Sequence, residues 1–429
     1  MPEYRLMPVE LDPERPDLTS LVRRGDCVIW SQGPGEPLAL TRALVAGRAQ
    51  IGRFTAFLGS SYASTFDRTQ VDFIDFVGMG AVGHTRKLLE SGALKVIPCH
   101  LSQLASMLRS GEFRIDVALL QVARNAAGEY SFGSVCSYLP DAVRNARVVI
   151  AEINAQAPWT NSVERLAAER IDRAVEVSRP LIDVPSRQPT AEDLAIAAKV
   201  APLIEDGAVL QVGIGTLPDA ILSSLRNHRD LGIHSGILGD GVVGLIEAGA
   251  VTNATKKRDR GVTVCGGLFG TDRLRQFAHA NKDLRVDPVS YTHDLRVLAG
   301  FTAFTTINSA IEIDLFGQVN SEVANGKYVG TIGGQTDFVR GTQLSERGRS
   351  IVAMSARASA AGPSRIVTRL SSGFVTAARA DTDVVVTEFG TAELKGQTVD
   401  ERARRLIAIA HPDDREDLSR WWAESGVHR

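Results

Sequence analysis

ARVVIAEI, residues 146–153, holds four consecutive apolar residues, Val148, Val149, Ile150 and Ala151, closed at either end by a charge, Arg147 and Glu152. The run is far short of the roughly 20 apolar residues that span a bilayer. It has the length and the Val/Ile content of a strand buried on both faces. GDCVIWS (25–31), VDFIDFVG (71–78) and IDVALLQV (115–122) read the same way. Residues 38–46 and 83–89, between them, have helical spacing. Strand and helix in alternation predict an α/β fold, a mostly parallel sheet with helices on both faces. Ligands of such sheets sit beyond the carboxyl ends of the strands.

Downstream, VSRPLIDVPSRQPT (177–190) carries three prolines and reads as a connection. A second alternation follows. It opens with the helix TAEDLAIAAKVAPLI (190–204), which has a Thr cap and a glutamate two residues on. Next come the strand AVLQVGIG (208–215), a helix over 218–225, and the strands VTVCGGLFG (262–270) and FTTINSAIEID (304–314). The expected organisation is two tandem open α/β domains, residues 1–185 and 186–429. ERARRLIAIAHPDDREDLSRWW (401–422) reads as one amphipathic helix, then a second beyond Pro412 that Trp421 and Trp422 staple to the body.

Lysine and arginine total 48 against 50 acids, a net charge of -2, so no field favours nucleic acid or an anionic membrane. A small-molecule partner is the expectation. The amino-terminal MPEYRLMPVELDPERPDL mixes charge with proline and lacks the apolar centre of a signal peptide, which predicts a cytoplasmic protein. Cys27, Cys99, Cys136 and Cys265 are scattered, which predicts buried free thiols with neither disulfide nor metal site. Cys136, in SFGSVCSY (131–138), is the one with any claim to be a nucleophile.

Three glycine-bearing loops hold most of the chemical signal. VGIGTLPDAIL (212–222) puts Gly213 and Gly215 at a strand end, with Pro218 in the following helical turn. Helix N–H groups there can face an anion, although neither the dinucleotide spacing nor a phosphate-loop lysine is present. GTIGGQTDFVRG (330–341) offers the paired Gly333 and Gly334, with Asp337 and Arg340 as a charge pair behind them. In VVVTEFGTAELKG (384–396), Glu388 follows a run of valines, the usual place for an α/β active-site acid or a strand-end ion pair.

INSAIEIDLFGQVNSE (307–322), GGQTDFVRG (333–341), SRIVTRL (364–370), residues 384–416 and LGIHSGILGDGVVGLIEAGAVTN (231–253) together resemble the acetyl-CoA hydrolase/transferase family. GDCVIWSQGPGEPLAL (25–40), AVGHTRKLL (81–89) and YSFGSVCSYLPDAV (130–143) match it more loosely. The resemblance implies two α/β domains of the CoA-transferase type, a homodimer, and an acyl-CoA in the cleft between the domains. A coenzyme A thioester would be the substrate and a small carboxylate the acceptor, with no permanently bound cofactor. It also implies a CoA-facing set of Gly213, Gly215, Gly333, Gly334, Asp337 and Phe338. The catalytic positions fall on Gly236, His293 and Glu388.

In that family a glutamate attacks the thioester and carries the acyl group and then CoA covalently. The resemblance aligns the glutamate with Gly236, a supporting asparagine with His293, the oxyanion glycine with Gly333–Gly334, and a supporting glutamate with Glu388. Three explanations of a bare Gly236 stay open. Water could occupy the vacated space, with His293, oriented by Asp294, or Glu388 as base. An acceptor carboxylate could attack directly, or Glu388, Glu312 or Glu322 could serve. The chain could also bind acyl-CoA without chemistry. Lys256, Lys257, Arg258 and Arg260 form a basic run, read as a solvated helix end or a phosphate contact. Residues 33–37, GPGEP, read as a substrate- or phosphate-side loop. His234 and Ser235 read as site-lining groups, and His411 as a structural cap.

Overall fold

The computed structural model describes residues 8–426, so the first seven residues of the amino-terminal stretch lie outside the described residues. The chain forms two compact units. One comprises the residues up to Val184 together with Val264–Thr292; the other comprises Pro185–Thr263 together with the residues from His293 onward. Residues 264–292, placed in the second domain from sequence, return to the first unit. Their backbone is paired there: Cys136 N donates to Gly266 O at 3.1 Å, Leu268 N to Ser134 O at 2.8 Å, and Val286 N to Asn161 O at 2.8 Å. These bonds join segments more than a hundred residues apart, which local periodicity does not record.

The first unit is built on a sheet of β1 (Val9–Glu10), β2 (Cys27–Trp30), β3 (Phe54–Leu58), β4 (Ile74–Gly78), β5 (Leu94–Val96), β6 (Val117–Arg124), β7 (Tyr130–Ser131), β8 (Val148–Asn154) and β9 (Arg173–Val177). Their order is β1-β9-β8-β6-β2-β3-β4-β5, with β7 paired to β6. Val28 sits opposite both Ala56 and Val117, in parallel register. Val28, Phe76, Leu119 and Ile150 are fully buried, as continuous apolar strands between two helical layers require. From β2 the chain lays β3 to β5 on one side, then returns with β6, β8 and β9 on the other. The carboxyl ends of β2 and β6 are therefore a topological switch point. The helix Leu38–Ile51 runs beyond the predicted 38–46 and stops at Gly52, whose φ of 81° suits glycine.

The second unit holds β10 (Val209–Val212), β11 (Gly232–Ile233), β12 (Phe304–Asn308), β13 (Arg349–Ala353), β14 (Val384–Thr387) and β15 (Gly390–Glu393) in the order β11-β10-β12-β13-β14-β15. All pairs are parallel except the β14–β15 hairpin. FTTINSAIEID, expected as one strand, is two. Beyond β12, Glu312–Asp314 leaves for a three-stranded sheet with Val319–Asn320 and Ile366–Val367, because Ile311 N bonds Asn320 O and Ile313 N bonds Arg365 O. Thr190 caps the helix Ala191–Val200 in a reciprocal box with Asp193, not with Glu192, since the box needs the third helical residue. At the carboxyl end the buried Trp422 donates its Nε1–H to Asp400 Oδ1 at 2.9 Å, tying the helix Arg415–Glu424 to Val399–Ala408.

Among the described residues no helix is long and apolar enough to cross a membrane, and no group of three His, Cys, Asp or Glu side chains is arranged to hold a metal. Cys99, Cys136 and Cys265 are buried and Cys27 is half-buried. Burial pushes the Cys136 thiol well above its ordinary range, so it is not poised as a nucleophile.

Candidate active site

His234, Ser235 and Gly236 follow β11 at the carboxyl edge of the second sheet. Their path is held from several sides. His234 N donates to Leu210 O at 3.0 Å, Ile233 N donates to Asn253 Oδ1 at 2.8 Å, and Ser235 Oγ–H reaches Ile237 O at 2.9 Å and Val212 O at 3.2 Å. Lys256, read from sequence as part of a surface basic run, is 2% exposed. Its Nζ donates to Ile233 O at 2.9 Å and Val262 O at 2.7 Å, and lies 5.7 Å from the Phe301 ring centre. This lysine is an internal strut, with its ammonium satisfied by carbonyls. The rest of the run stays outside, Lys257 near Glu346 and Arg258 and Arg260 exposed.

The ring of His293 lies against the bare backbone of two glycines. A Cβ on Gly236 would meet its Cε1 and Nε2 at 3.1 Å each, and a Cβ on Gly334 would stand 2.3 Å from Nε2. Gly334 therefore depends on hydrogen in place of a side chain, whereas at Gly236 the rings would have to yield by a few tenths of an ångström. Phe338 packs on the imidazole with ring centres 4.3 Å apart, and continues to Phe304 at 6.4 Å. The space beside Gly236, expected to admit water, is bordered by His293 and Phe338. His293 is 2% exposed, and burial holds its pKa down to about 4 although the Asp337 charge pulls the other way. At neutral pH it is an uncharged imidazole. Asp294, expected to orient it, instead accepts from Arg296 N at 2.7 Å and pairs with that guanidinium. Arg340 likewise turns from Asp337 to Asp381, at 3.6 Å.

Gly334 caps the helix Gln335–Leu344, and Gly333 before it has φ of 54°. The first-turn N–H groups and helix dipole thus begin where the His293 ring ends. Gly213, Gly215, Gly236, Gly333 and Gly334 are all partly accessible. Asp337 and Phe338, expected at the CoA surface with them, are buried beneath, at 6% and 3% exposure, because they face inward in the first turn. Gly215, with φ of 111°, caps the helix Thr216–Ser224. Adjacent strands β10 and β12 also carry an amide pair not expected from sequence. Gln211 Nε2 donates to Asn308 Oδ1 at 3.2 Å, and Asn308 Nδ2 returns to Gln211 Oε1 at 3.0 Å. Polar residues late in the apolar strands β10 and β12 were the available signal.

Glu388 stands at the end of β14, with Oε2 accepting the Ala356 N–H at 2.9 Å. Three strands separate β14 from β11, so these strand ends are roughly 19 Å apart at about 4.8 Å per strand. Glu388 shares an edge with Gly236 and His293 without touching them. Glu312 and Glu322 are buried acceptors, Glu312 for Asn320 and Ser371 and Glu322 for Thr376. In the first unit GPGEP is packed inward. A Cβ on Gly33 would meet the Phe269 ring at 2.5 Å, and Glu36 is wholly buried. His411 caps the turn Pro412–Asp414, with Nδ1 accepting Asp413 N at 3.3 Å.

Parallel sheets ending in glycine loops and a helix N-terminus define a class of small-molecule enzyme folds, and comparison with known proteins narrows it. The chain belongs to the acetyl-CoA hydrolase/transferase family: residues 13–179 match its N-terminal domain and residues 270–421 its C-terminal domain. It is 38% identical over 401 residues to 4-hydroxybutyrate coenzyme A transferase of Clostridium kluyveri, covering 91% of this chain and 92% of that one. Among solved structures, RipA from Yersinia pestis superposes with a TM-score of 0.90 at 32% identity, over 95% of this chain and 96% of that one. A 4-hydroxybutyrate CoA-transferase from Porphyromonas gingivalis gives 0.81 at 31% identity, over 95% and 96%.

Proposed function

We propose that this protein transfers coenzyme A from a small acyl-CoA to a carboxylate acceptor without a covalent glutamyl intermediate. The observation that carries this is the neutral His293 imidazole lying against Gly236, the position where the resemblance puts the family's nucleophilic glutamate. Glycine cannot form the anhydride, and a base of pKa about 4 is too weak to activate water well. An acceptor carboxylate is already ionised and needs no base. In this reading its oxygen attacks the thioester carbonyl carbon, the C–S bond breaks, and a mixed anhydride and CoA thiolate form. The thiolate then attacks the acceptor's carbonyl in the anhydride, releasing the donor as its carboxylate and leaving the acceptor as the new thioester. The N–H groups of Gly333 and Gly334 hold each oxyanion, while His293 orients the incoming carboxylate. Glu388, about 19 Å along the same edge by strand spacing, acts on neither reacting group directly, and the working form is a homodimer.

The test uses acetyl-, propionyl- and butyryl-CoA, each with and without acetate or succinate, following free thiol and acyl exchange. Exchange only with acceptor, and with intersecting rather than parallel initial-rate lines, is expected. Thiol release without acceptor would make the protein a hydrolase, and neither reaction, with CoA still bound, would leave a binding protein. Gly236→Glu alone is expected to abolish turnover, because its Cβ already crowds His293 and Phe338. Gly236→Glu combined with His293→Asn is expected to yield parallel lines.

A further inference from the structure

In the second unit a pocket of about 350 Å³ is lined by Phe316, Gln318, Val375, Asp314, Arg369 and Arg379 among others. Its charges are unbalanced. The one carboxylate, Asp314, is 1% exposed and its oxygens accept the N–H groups of Phe316 and Gln318 and the Gln318 Nε2–H. These three donors hold it from within, and its charge acts on Arg402. Among the described residues neither Arg369 nor Arg379 has an ion-pair partner, whereas Arg340, Arg347 and Arg357 of the same unit pair with Asp381, Glu205 and Asp414.

Arg369 is held by aromatic faces instead, its guanidinium 5.8 Å from the Phe316 ring centre and 5.7 Å from that of Trp421. Such cation–π contacts steady the guanidinium and, among the described residues, leave its N–H groups without a hydrogen bond. A third guanidinium, Arg402, donates among the described residues to the Leu394 and Arg379 carbonyls, at 3.0 and 2.7 Å. Burial and then the Arg379 charge hold its pKa below the ordinary value. Two cationic forks over one cavity, whose single carboxylate is already engaged by N–H donors, suit a dianion better than a monocarboxylate.

We propose that this pocket is a binding site for a phosphorylated small molecule, with Arg369 and Arg379 as the phosphate contacts and Phe316 as the apolar wall. Nothing in it depends on the acyl-transfer reading, since no turnover is involved. Isothermal titration of the full chain with sodium pyrophosphate at low salt tests it. One-to-one binding is expected, weakened about tenfold or more by Arg379→Glu and by Arg369→Ala. Arg347→Glu, a charge reversal outside the pocket, is expected to leave affinity within about twofold, as additive distant sites do. Arg379 is exposed and unpaired, so its replacement does not threaten folding if Arg369→Ala does. Absence of binding, or equal loss in Arg347→Glu and Arg379→Glu, overturns the proposal. Repeating the titration with saturating CoA separates the sources: displacement identifies the phosphate as CoA's own, and undiminished binding identifies a separate phosphorylated ligand.

Discussion

The carboxyl edges of the two sheets bury titratable groups of opposite kind. In the first unit, behind β2, Glu36 has no exposed surface. Ser61 Oγ–H donates to its Oε2 at 3.0 Å, while Oε1 has no hydrogen-bond partner among the described residues. Burial raises its pKa to about 7 against the pull of Ser61, Arg179 and Arg42, with Glu152 adding to the rise. In the second unit, burial lowers His293 to about 4 despite Asp337. Desolvation outweighs the neighbouring charge in both, and each edge keeps its group uncharged around pH 5 to 6. Similar parallel architecture thus yields an acid that keeps its proton and a base that declines one.

The largest effects expected from this contrast are in pH-dependent stability. Glu36 ionises near 4.5 when unfolded and about 7 when folded. The folded state binds the extra proton in that window, so its contribution is full below 4.5 and is lost as pH rises to 7. His293 goes from 6.5 unfolded to about 4 folded, so its contribution is full above 6.5 and is lost as pH falls to 4. Each amounts to about 3 kcal/mol. Between pH 4.5 and 6.5 the two slopes oppose and largely cancel, so calorimetric unfolding across pH 4 to 8 should show Glu36→Gln with stability rising with pH up to 6.5 and His293→Asn with stability falling with pH from 4.5 to 7. Either variant sloping the other way breaks the comparison.

Gly334→Ala should cost about a hundredfold in kcat/KM, because its Cβ displaces the imidazole. Adding His293→Ala should restore thermal stability by removing the clash, and a Gly334→Ala enzyme with unchanged CoA exchange would separate the ring from the site. Lys256→Met leaves the Ile233 and Val262 carbonyls unsatisfied and should cost about 2 kcal/mol in denaturant unfolding. Glu388→Gln, which keeps an oxygen for the Ala356 N–H, should lower exchange less than about tenfold. A larger loss would move the chemistry toward β14.

Much of the scaffold was legible because β2, β6 and β8 are largely apolar runs buried on both faces. β3 escaped notice: FTAFL is five residues long and only Gly52 and Arg53 separate it from the preceding helix. Gly213, Gly215, Gly333 and Gly334 were legible as loops because glycine marks a bare backbone. Asp294 and Arg340 were paired with sequence neighbours, whereas the folded chain matched Arg340 to Asp381 and turned Asp294 to Arg296. Lys256 read as surface because a basic run ordinarily is, and only packing against Phe301 and two carbonyls made it internal.

By itself the sequence determined the α/β alternation, the glycine loops and the absence of a carboxylate at residue 236, all properties of local composition and spacing. Tertiary structure alone decided that the imidazole of residue 293 lies on that glycine and stays uncharged. The reason is physical: a pKa is set by solvent exclusion and by charges brought together from distant segments, neither of which is written at the residue that titrates.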